Sequence, residues 1–462
     1  MYLQIDRNSF IPMIKQIYTQ LKDMILKGDL ESNHRLPSSR RLAETLQVSR
    51  NVVIEAYEML TSEGYTKSVQ GSGIYVNEAI SISRPTIKGP KLKLSGMKDS
   101  NNCISFKSGL PALDKFPRSK WLQCYRESIF NIPDKELGYD LPNGYLPFRK
   151  TLSEYLFRSH GIRCHEDQII ITSGAVQALY LISKYFSQLS GSILLEEPTA
   201  KGIRNIVTSN HSNVIYHSIN HKGIDASTLP KEIDLTCIIT TPSHQYPLGG
   251  SLSISKRVEL IRYARDNNCY VVEDDYDSEY RYGNSPVESL YELDSDHVIY
   301  IGSFSKILLP SIRIGYMVLP VNLIEPIYQI KSLIDIHCPT LNQATMDKFI
   351  AYGYLEQHIA KTKKIYKKRR LILINALIDT FGKNVTILGK ETGIHLVAEF
   401  SNITFTKELM NRIMDAGVYI MPVSYHAVIP EKHDSQLIFG YGNLTEDDIL
   451  KGINILYKCV KN

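Results

Sequence analysis

Lys306 ends the stretch Tyr300-Ile301-Gly302-Ser303-Phe304-Ser305-Lys306, and Arg313 follows seven residues later. The apolar run Val298-Ile299-Tyr300-Ile301 reads as a buried strand that gives way to a turn of small hydroxyl residues. A lysine held at a strand end among hydroxyls, with a fixed cation nearby, suits a Schiff base to a phosphorylated aldehyde. The amine attacks the carbonyl while Ser303, Ser305 and Arg313 hold the phosphate. By itself the stretch fits a surface loop with an ordinary lysine equally well. Upstream, Val271-Val272-Glu273-Asp274-Asp275-Tyr276-Asp277 runs an apolar strand into a carboxylate cluster. Acids at the C-terminal end of a strand stand where open α/β sheets build their sites. One carboxylate there can pair with a protonated pyridine nitrogen and make the ring an electron sink, and Tyr276 can reach a ring hydroxyl. A merely solvated acidic loop has the same composition.

From Ser105 onward, strand-like and helix-like segments alternate on the scale of a large α/β domain. Gln168 to Thr172 reads as a buried strand, and Ser173-Gly174-Ala175-Val176 opens a helix. Such a turn points free backbone amides and a positive helix end at one place, an anion site, although plain turn chemistry uses the same residues. Ile193 to Glu197 and Thr236 to Thr241 read as further strands, the second running into Pro242-Ser243-His244-Gln245-Tyr246-Pro247. His244 fits either a site residue or a hydrogen-bonded loop histidine. Lys361 to Arg370 is strongly basic over a helical apolar stripe and reads as one solvated face of a long helix leading to a C-terminal small domain; Trp121, the one tryptophan, reads as core.

At 462 residues, 43% hydrophobic and 22% charged, the chain has an ordinary globular composition and room for two or three domains. No apolar run approaches the roughly 18 residues that span a bilayer, and the N-terminus has no signal pattern, so a cytoplasmic protein without a membrane partner is expected. The seven cysteines are scattered singly and read as free thiols, with neither metal nor disulfide framework. The net charge of +5 equals the five basic residues that 81–98 carries without an acid, whereas 1–80 balances nine basic against nine acidic side chains. That unpatterned segment, 79–102, reads as a basic linker.

Ahead of it, Pro12 to Lys27 has the spacing of an amphipathic helix closed by Gly28. Serines 38 and 39 can cap a helix through Leu46, and Ser49 can cap a second one that presents Arg50 and Asn51. Two short strands around Gly71-Ser72-Gly73 form a wing. Residues 1–78 resemble the winged helix-turn-helix of the GntR regulators through Leu36-Pro37-Ser38-Ser39-Arg40-Arg41-Leu42-Ala43, Val48-Ser49-Arg50, Glu55-Ala56-Tyr57 and Gly71-Ser72-Gly73. The resemblance implies double-stranded DNA as partner, with Ser38, Arg40, Arg50 and Asn51 at phosphates or bases and the Gly71–Gly73 tip along the minor groove.

Nearly the whole chain resembles the MocR/GabR subfamily of those regulators. The implied fold is a winged helix-turn-helix (1–78) joined by the linker (79–102) to an α/β domain like the fold-type I, pyridoxal-phosphate-dependent aminotransferases (103–462, large part about 103–350, small part about 370–462). Pyridoxal 5'-phosphate is the implied cofactor, with Lys306 as the Schiff-base lysine, Asp274 on the ring nitrogen and Tyr276 on the ring oxygen. Gly174, Ala175, Val176, Ser303, Ser305 and Arg313 would form the phosphate cup, and His244 and Tyr246 would line the loop beside it. A head-to-tail homodimer is also implied, in which Tyr139 reaches the cofactor phosphate of the opposite subunit. Two departures stand out. Ile438 occupies the place of an arginine that forks onto a substrate carboxylate, and Ala200 the place of an aromatic residue stacked on the ring. Losing the clamp removes a contact worth about 1.5–3 kcal/mol to an amino acid. The expectation is a regulator that senses pyridoxal phosphate itself, as regulators of vitamin B6 synthesis do, ahead of one sensing an amino compound and well ahead of a working aminotransferase. For an amino compound, Lys201 or Arg204 would have to supply the missing charge.

Overall fold

The computed structural model describes residues 3–78, 103–283 and 287–461. The chain divides into two compact units, Met1–Lys98 and Asp99–Asn462. The basic segment 79–102, read as a linker, lies outside the described residues.

In the first unit, α1 (Met13–Lys27) buries Ile17, Tyr18, Leu21 and Ile25 at helical spacing and ends on Gly28, whose φ of 81° supplies the left-handed cap. Helix α2 (Ser39–Leu46) starts on Ser38, whose hydroxyl accepts from the amide of Arg41. Helix α3 (Arg50–Ser62) buries Val53, Ala56, Tyr57 and Leu60 against the other two, and Ser49 stands at its N-cap without a side-chain capping bond. Strands β1 (Thr66–Val69) and β2 (Gly73–Val76) pair antiparallel, Thr66 opposite Val76 and Val69 opposite Gly73, as the expected wing.

The second unit is built on a seven-stranded sheet. In chain order its strands are β3 (Ile169–Thr172), β4 (Ser192–Glu197), β5 (Val214–Ser218), β6 (Leu235–Thr240), β7 (Tyr270–Asp275), β8 (Val298–Ser303) and β9 (Gly315–Val318). They lie in the order β3-β9-β8-β7-β6-β4-β5, with β9 antiparallel to both neighbours and the remaining pairings parallel. Helices cover the sheet, so its central strands are near-continuous apolar runs; Ile299, Ile301, Val271 and Val272 have no exposed surface. Because β9 runs against β3 and β8 alike, the C-terminal ends of β3, β7 and β8 share one sheet edge. Helices α4 (Ala175–Phe186) and α5 (Lys201–Asn210) start just beyond that edge, after β3 and β4.

Helix α6 (Tyr354–Phe381) leads to a four-stranded antiparallel sheet of β10 (Val385–Leu388), β11 (His395–Phe400), β12 (Met421–Pro422) and β13 (Gln436–Gly440), in the order β10-β11-β13-β12. The C-terminal helix α7 (Glu446–Lys461) packs along α6. The basic face of α6 is only partly solvated. Lys361, Lys364, Lys367 and Lys368 are exposed. Arg369 and Arg370 are buried, their guanidinium groups donating to the carbonyls of Gly442 and Lys390 and fastening the helix to loops of the small sheet. Trp121 is half-buried against Phe116 and Phe349, at the margin of the core. Cys124, Cys164, Cys237, Cys269, Cys338 and Cys459 are free thiols, and no helix of the described residues is long and apolar enough to cross a membrane.

Candidate cofactor site and nucleic-acid interface

A cavity of about 350 Å3 opens at the shared strand edge. Asp274, Ser303, Ser305, Lys306 and Arg313 meet there because β7 and β8 are adjacent and in register, Asp274 opposite Ile301. Asp274 is the second-to-last residue of its strand, and Lys306 lies three residues beyond the end of the other. Burial first, then neighbouring Asp275, push the Asp274 carboxyl up to about 7, against the opposing pull of Lys306. Its Oδ1 is buried and has no hydrogen-bond partner among the described residues. Burial also lowers the pKa of the Lys306 amine, with Asp277 and Asp274 opposing. Gly109 presses close: a Cβ there would stand 2.7 Å from Lys306 Nζ.

The strand-to-helix turn after β3 is the candidate anion cup. Gly174 takes φ 91° and ψ 171° at the mouth of α4, where the Gln177 amide donates to its carbonyl and the Ala175 and Val176 amides come ahead of the first helical bond. Arg313, itself at φ 53°, donates to the Ser173 carbonyl, and a Cβ on Gly174 would lie 3.0 Å from its Nη2. Ala175 and Val176 line the cavity wall, while Gly174 lies against the guanidinium behind them. The Ser303 hydroxyl donates to that of Ser305 at 3.0 Å and accepts from the Ser305 amide at 3.2 Å.

Tyr276, His244 and Tyr139 take three different settings. Tyr276 lines the cavity, and its hydroxyl donates to the His244 carbonyl at 2.7 Å. His244 is fully buried one layer behind the wall, its Nδ1 3.0 Å from both oxygens of Asp277, and it does not line the cavity. Tyr139 is 88% exposed, set edge-on to His337 and apart from the cavity of its own chain. Tyr246 does line the cavity, its hydroxyl 2.8 Å from Ser108 Oγ and 3.3 Å from His426 Nε2.

Ser108, Gly109, His395 and His426 are wall residues that the sequence did not single out. His395 projects from β11, its ring centroid 4.3 Å from that of His244. The His426 segment crosses to the large sheet and is held there. His426 Nδ1 accepts from the Lys201 amide at 3.1 Å, and Glu197 Oε1 accepts from the amides of Val428 and Ile429 at 2.6 and 3.1 Å. Ala200 lines the cavity, whereas Ile438 is fully buried with Leu248, Val397 and Val423 and does not reach it.

In the first unit Arg40, Arg50 and Asn51 are exposed around the start of α3. Arg50 Nε donates to Ser39 Oγ at 3.2 Å, and Arg40 makes only a loose 3.5 Å contact with Glu44. Ser38 is committed to capping α2. Gly71 (φ 77°) turns the wing tip in open space, and Gly73 (φ 132°) lies against the guanidinium of Arg35, 3.1 Å from where its Cβ would stand. A further cation, Arg7, is fixed at the helix-turn-helix by donating to the Gln47 carbonyl at 2.9 Å.

Together these features define a DNA-binding transcriptional regulator carrying an aminotransferase-like domain. Residues 13–76 match the model for bacterial regulatory proteins of the gntR family, and residues 101–451 match the model for class I and II aminotransferases. The probable rhizopine catabolism regulatory protein MocR of Rhizobium meliloti is 30% identical, over 98% of this chain and 95% of its own. The pyridoxine biosynthesis transcriptional regulator PdxR of Corynebacterium glutamicum is 27% identical over 94% and 93%. Among solved structures, the multiple substrate aminotransferase from Thermococcus profundus superposes with a TM-score of 0.73 at 27% identity, covering 79% of this chain and 92% of that one. The chain belongs to the MocR/GabR subfamily of gntR-type regulators.

Proposed function

We propose that the second unit binds pyridoxal phosphate and that this molecule is itself the signal, so that the regulator acts in vitamin B6 metabolism. The observation that carries the reading is the preserved Lys306, Asp274 and Arg313 set beside an isoleucine at 438, buried away from the cavity. The unpartnered Asp274 Oδ1 and the Arg313 guanidinium, which packs against Gly174 and faces the cavity, fit the two ends of the molecule. When bound, pyridoxal phosphate supplies an electrophilic carbonyl and an electron-withdrawing ring. Lys306 Nζ, favoured as the neutral amine by burial, would hold that carbonyl carbon, and Asp274 would hold the proton on the ring nitrogen. Ser303, Ser305, Arg313 and the α4 amides would bind the phosphate. Tyr276, which lines the cavity beside Asp274, would meet the ring oxygen, with Tyr246 on the same wall. Without a cation at 438 to orient an amino-acid carboxylate, transamination is not part of this reading.

The exposed apolar side chains of Leu137, Tyr139, Leu141 and Val176 support a homodimer in which Tyr139 serves the neighbouring site. In the first unit Arg40, Arg50 and Asn51 would contact DNA, and the linker would relay the signal. The test is a titration of cofactor-free protein with pyridoxal phosphate, following visible absorbance and binding to DNA upstream of its own gene in the same samples. Coincident curves without any amino compound, and loss of both changes in Lys306→Ala, are the expected result. Saturating absorbance with unmoved DNA binding would overturn the assignment of pyridoxal phosphate as the signal.

A further inference from the structure

Beyond the residues assigned to the cofactor, the cavity wall consists chiefly of Leu179, Ala200, Ile203, Ile206, His395 and His426. Helix α5 carries two cations, but it turns Gly202, Ile203 and Ile206 toward the cavity instead. Lys201 Nζ sits 4.1 Å from the centroid of the Tyr425 ring, and Arg204 Nη1 donates to the His426 carbonyl at 3.5 Å. Among the described residues that line the cavity, Lys306 and Arg313 are the only lysine or arginine side chains.

The two imidazoles do not supply a charge either. Burial, with Arg204 and Lys201 close by, holds His426 down to about 4. Burial and His244 hold His395 well below the usual histidine range. Both are neutral at neutral pH, and both already have polar partners: His395 Nε2 lies 3.2 Å from the Pro247 carbonyl and His426 is bonded at both ring nitrogens. A carboxylate entering this wall would leave water and meet no compensating cation. An apolar group would meet three aliphatic side chains and the space left by Ala200.

We infer that the ligand this cavity admits beside the cofactor is a primary amine with an apolar body and no carboxylate. The inference rests on the reading of the cavity as a pyridoxal phosphate site. It supplies the amine as the reacting group, because the carbonyl carbon held by Lys306 can pass to another amine. In such an exchange one carbon–nitrogen double bond would replace another, the two hydrogens of the neutral incoming amine would end on Lys306 Nζ, and nothing would be oxidised. The environment that favours a neutral Lys306 amine accommodates its release.

The experiment uses the full chain loaded with pyridoxal phosphate and two matched pairs, 2-phenylethylamine against phenylalanine and 3-methylbutylamine against leucine. The visible spectrum and the affinity for its upstream DNA are read together. Each amine is expected to act at a concentration at least about tenfold below that of its amino acid, the worth of one charge-assisted contact that the acid cannot make here. Ile203→Arg, which adds a cation to a lining position, is expected to narrow that gap; if the variant does not fold, the wild-type comparison alone decides. Amino acids acting as well as their amines, or no ligand changing the spectrum, would overturn the inference while leaving the cofactor reading intact. A protein that gains no visible band from pyridoxal phosphate would instead remove the cofactor reading, and this inference with it.

Discussion

Ile438 stands directly opposite Val397 in the antiparallel pairing of β13 with β11, and both side chains are fully buried beside Leu248 and Val423. The position that would carry a carboxylate-binding arginine is therefore a piece of the small-sheet core. Ile438→Ala is expected to cost about 2–5 kcal/mol of stability by opening a void. It should leave the midpoint of a pyridoxal phosphate titration unchanged at a temperature where the variant is folded. Thermal melting and absorbance read the two effects separately, and a shifted midpoint without lost stability would contradict this placement.

Gly174 holds a backbone conformation that residues with a Cβ rarely adopt, and its missing side chain is the space beside Arg313. Gly174→Ala should cost about 1–3 kcal/mol and weaken pyridoxal phosphate binding by displacing the guanidinium from the cup. Calorimetry and the absorbance titration check the two parts; wild-type values in both would show that the turn is ordinary.

The first unit can be probed without disturbing the second. Arg50 is exposed at the N-terminal end of α3 and is held only by Ser39. Arg50→Ala is expected to weaken operator binding by about 1–3 kcal/mol with an unaltered cofactor spectrum. Fluorescence anisotropy on a labelled promoter fragment measures the first, and unchanged DNA affinity would remove Arg50 from the interface.

Asp274 makes stability depend on pH. Its carboxyl titrates near 3.8 when unperturbed and is pushed up to about 7 in the fold, chiefly by burial. Between those values the folded state holds a proton that the unfolded chain has lost, so this group makes the cofactor-free protein less stable as pH rises from about 4 to about 7. The full effect is of order 4 kcal/mol. Relative to Asp274→Asn, the wild type should lose melting temperature steadily across that window. Parallel profiles for the two proteins would mean that Asp274 does not titrate there.

The parts of the site legible in the sequence are those set by strand ends. Asp274, Lys306 and the Gly174 turn could be read because a buried parallel strand is an unbroken apolar run, and the polar residue that ends it sits at the sheet edge. His395 and His426 could not. Each comes from the small sheet or its loops, more than a hundred residues from Asp274 in sequence, and nothing in residue type reports which strand face meets a distant cavity. Residue type was also silent on rotamers: Tyr276 spends its hydroxyl on the His244 carbonyl. The charge run of α6 misled for a related reason, since Arg369 and Arg370 find carbonyl partners in loops that only the tertiary fold brings near.

Arg40 and Arg50 of the first unit stand in water, the Arg40 side chain 83% exposed, whereas Asp274 is 7% exposed at the base of its cavity. Ionic strength therefore acts on the two halves unequally. Contacts to DNA phosphates weaken steeply as salt competes for them, while interactions inside the cavity are shielded little. Moderate salt is thus expected to strip the protein from its operator while leaving a ligand of the cavity in place, so that occupancy of the second unit could be measured free of any feedback from DNA.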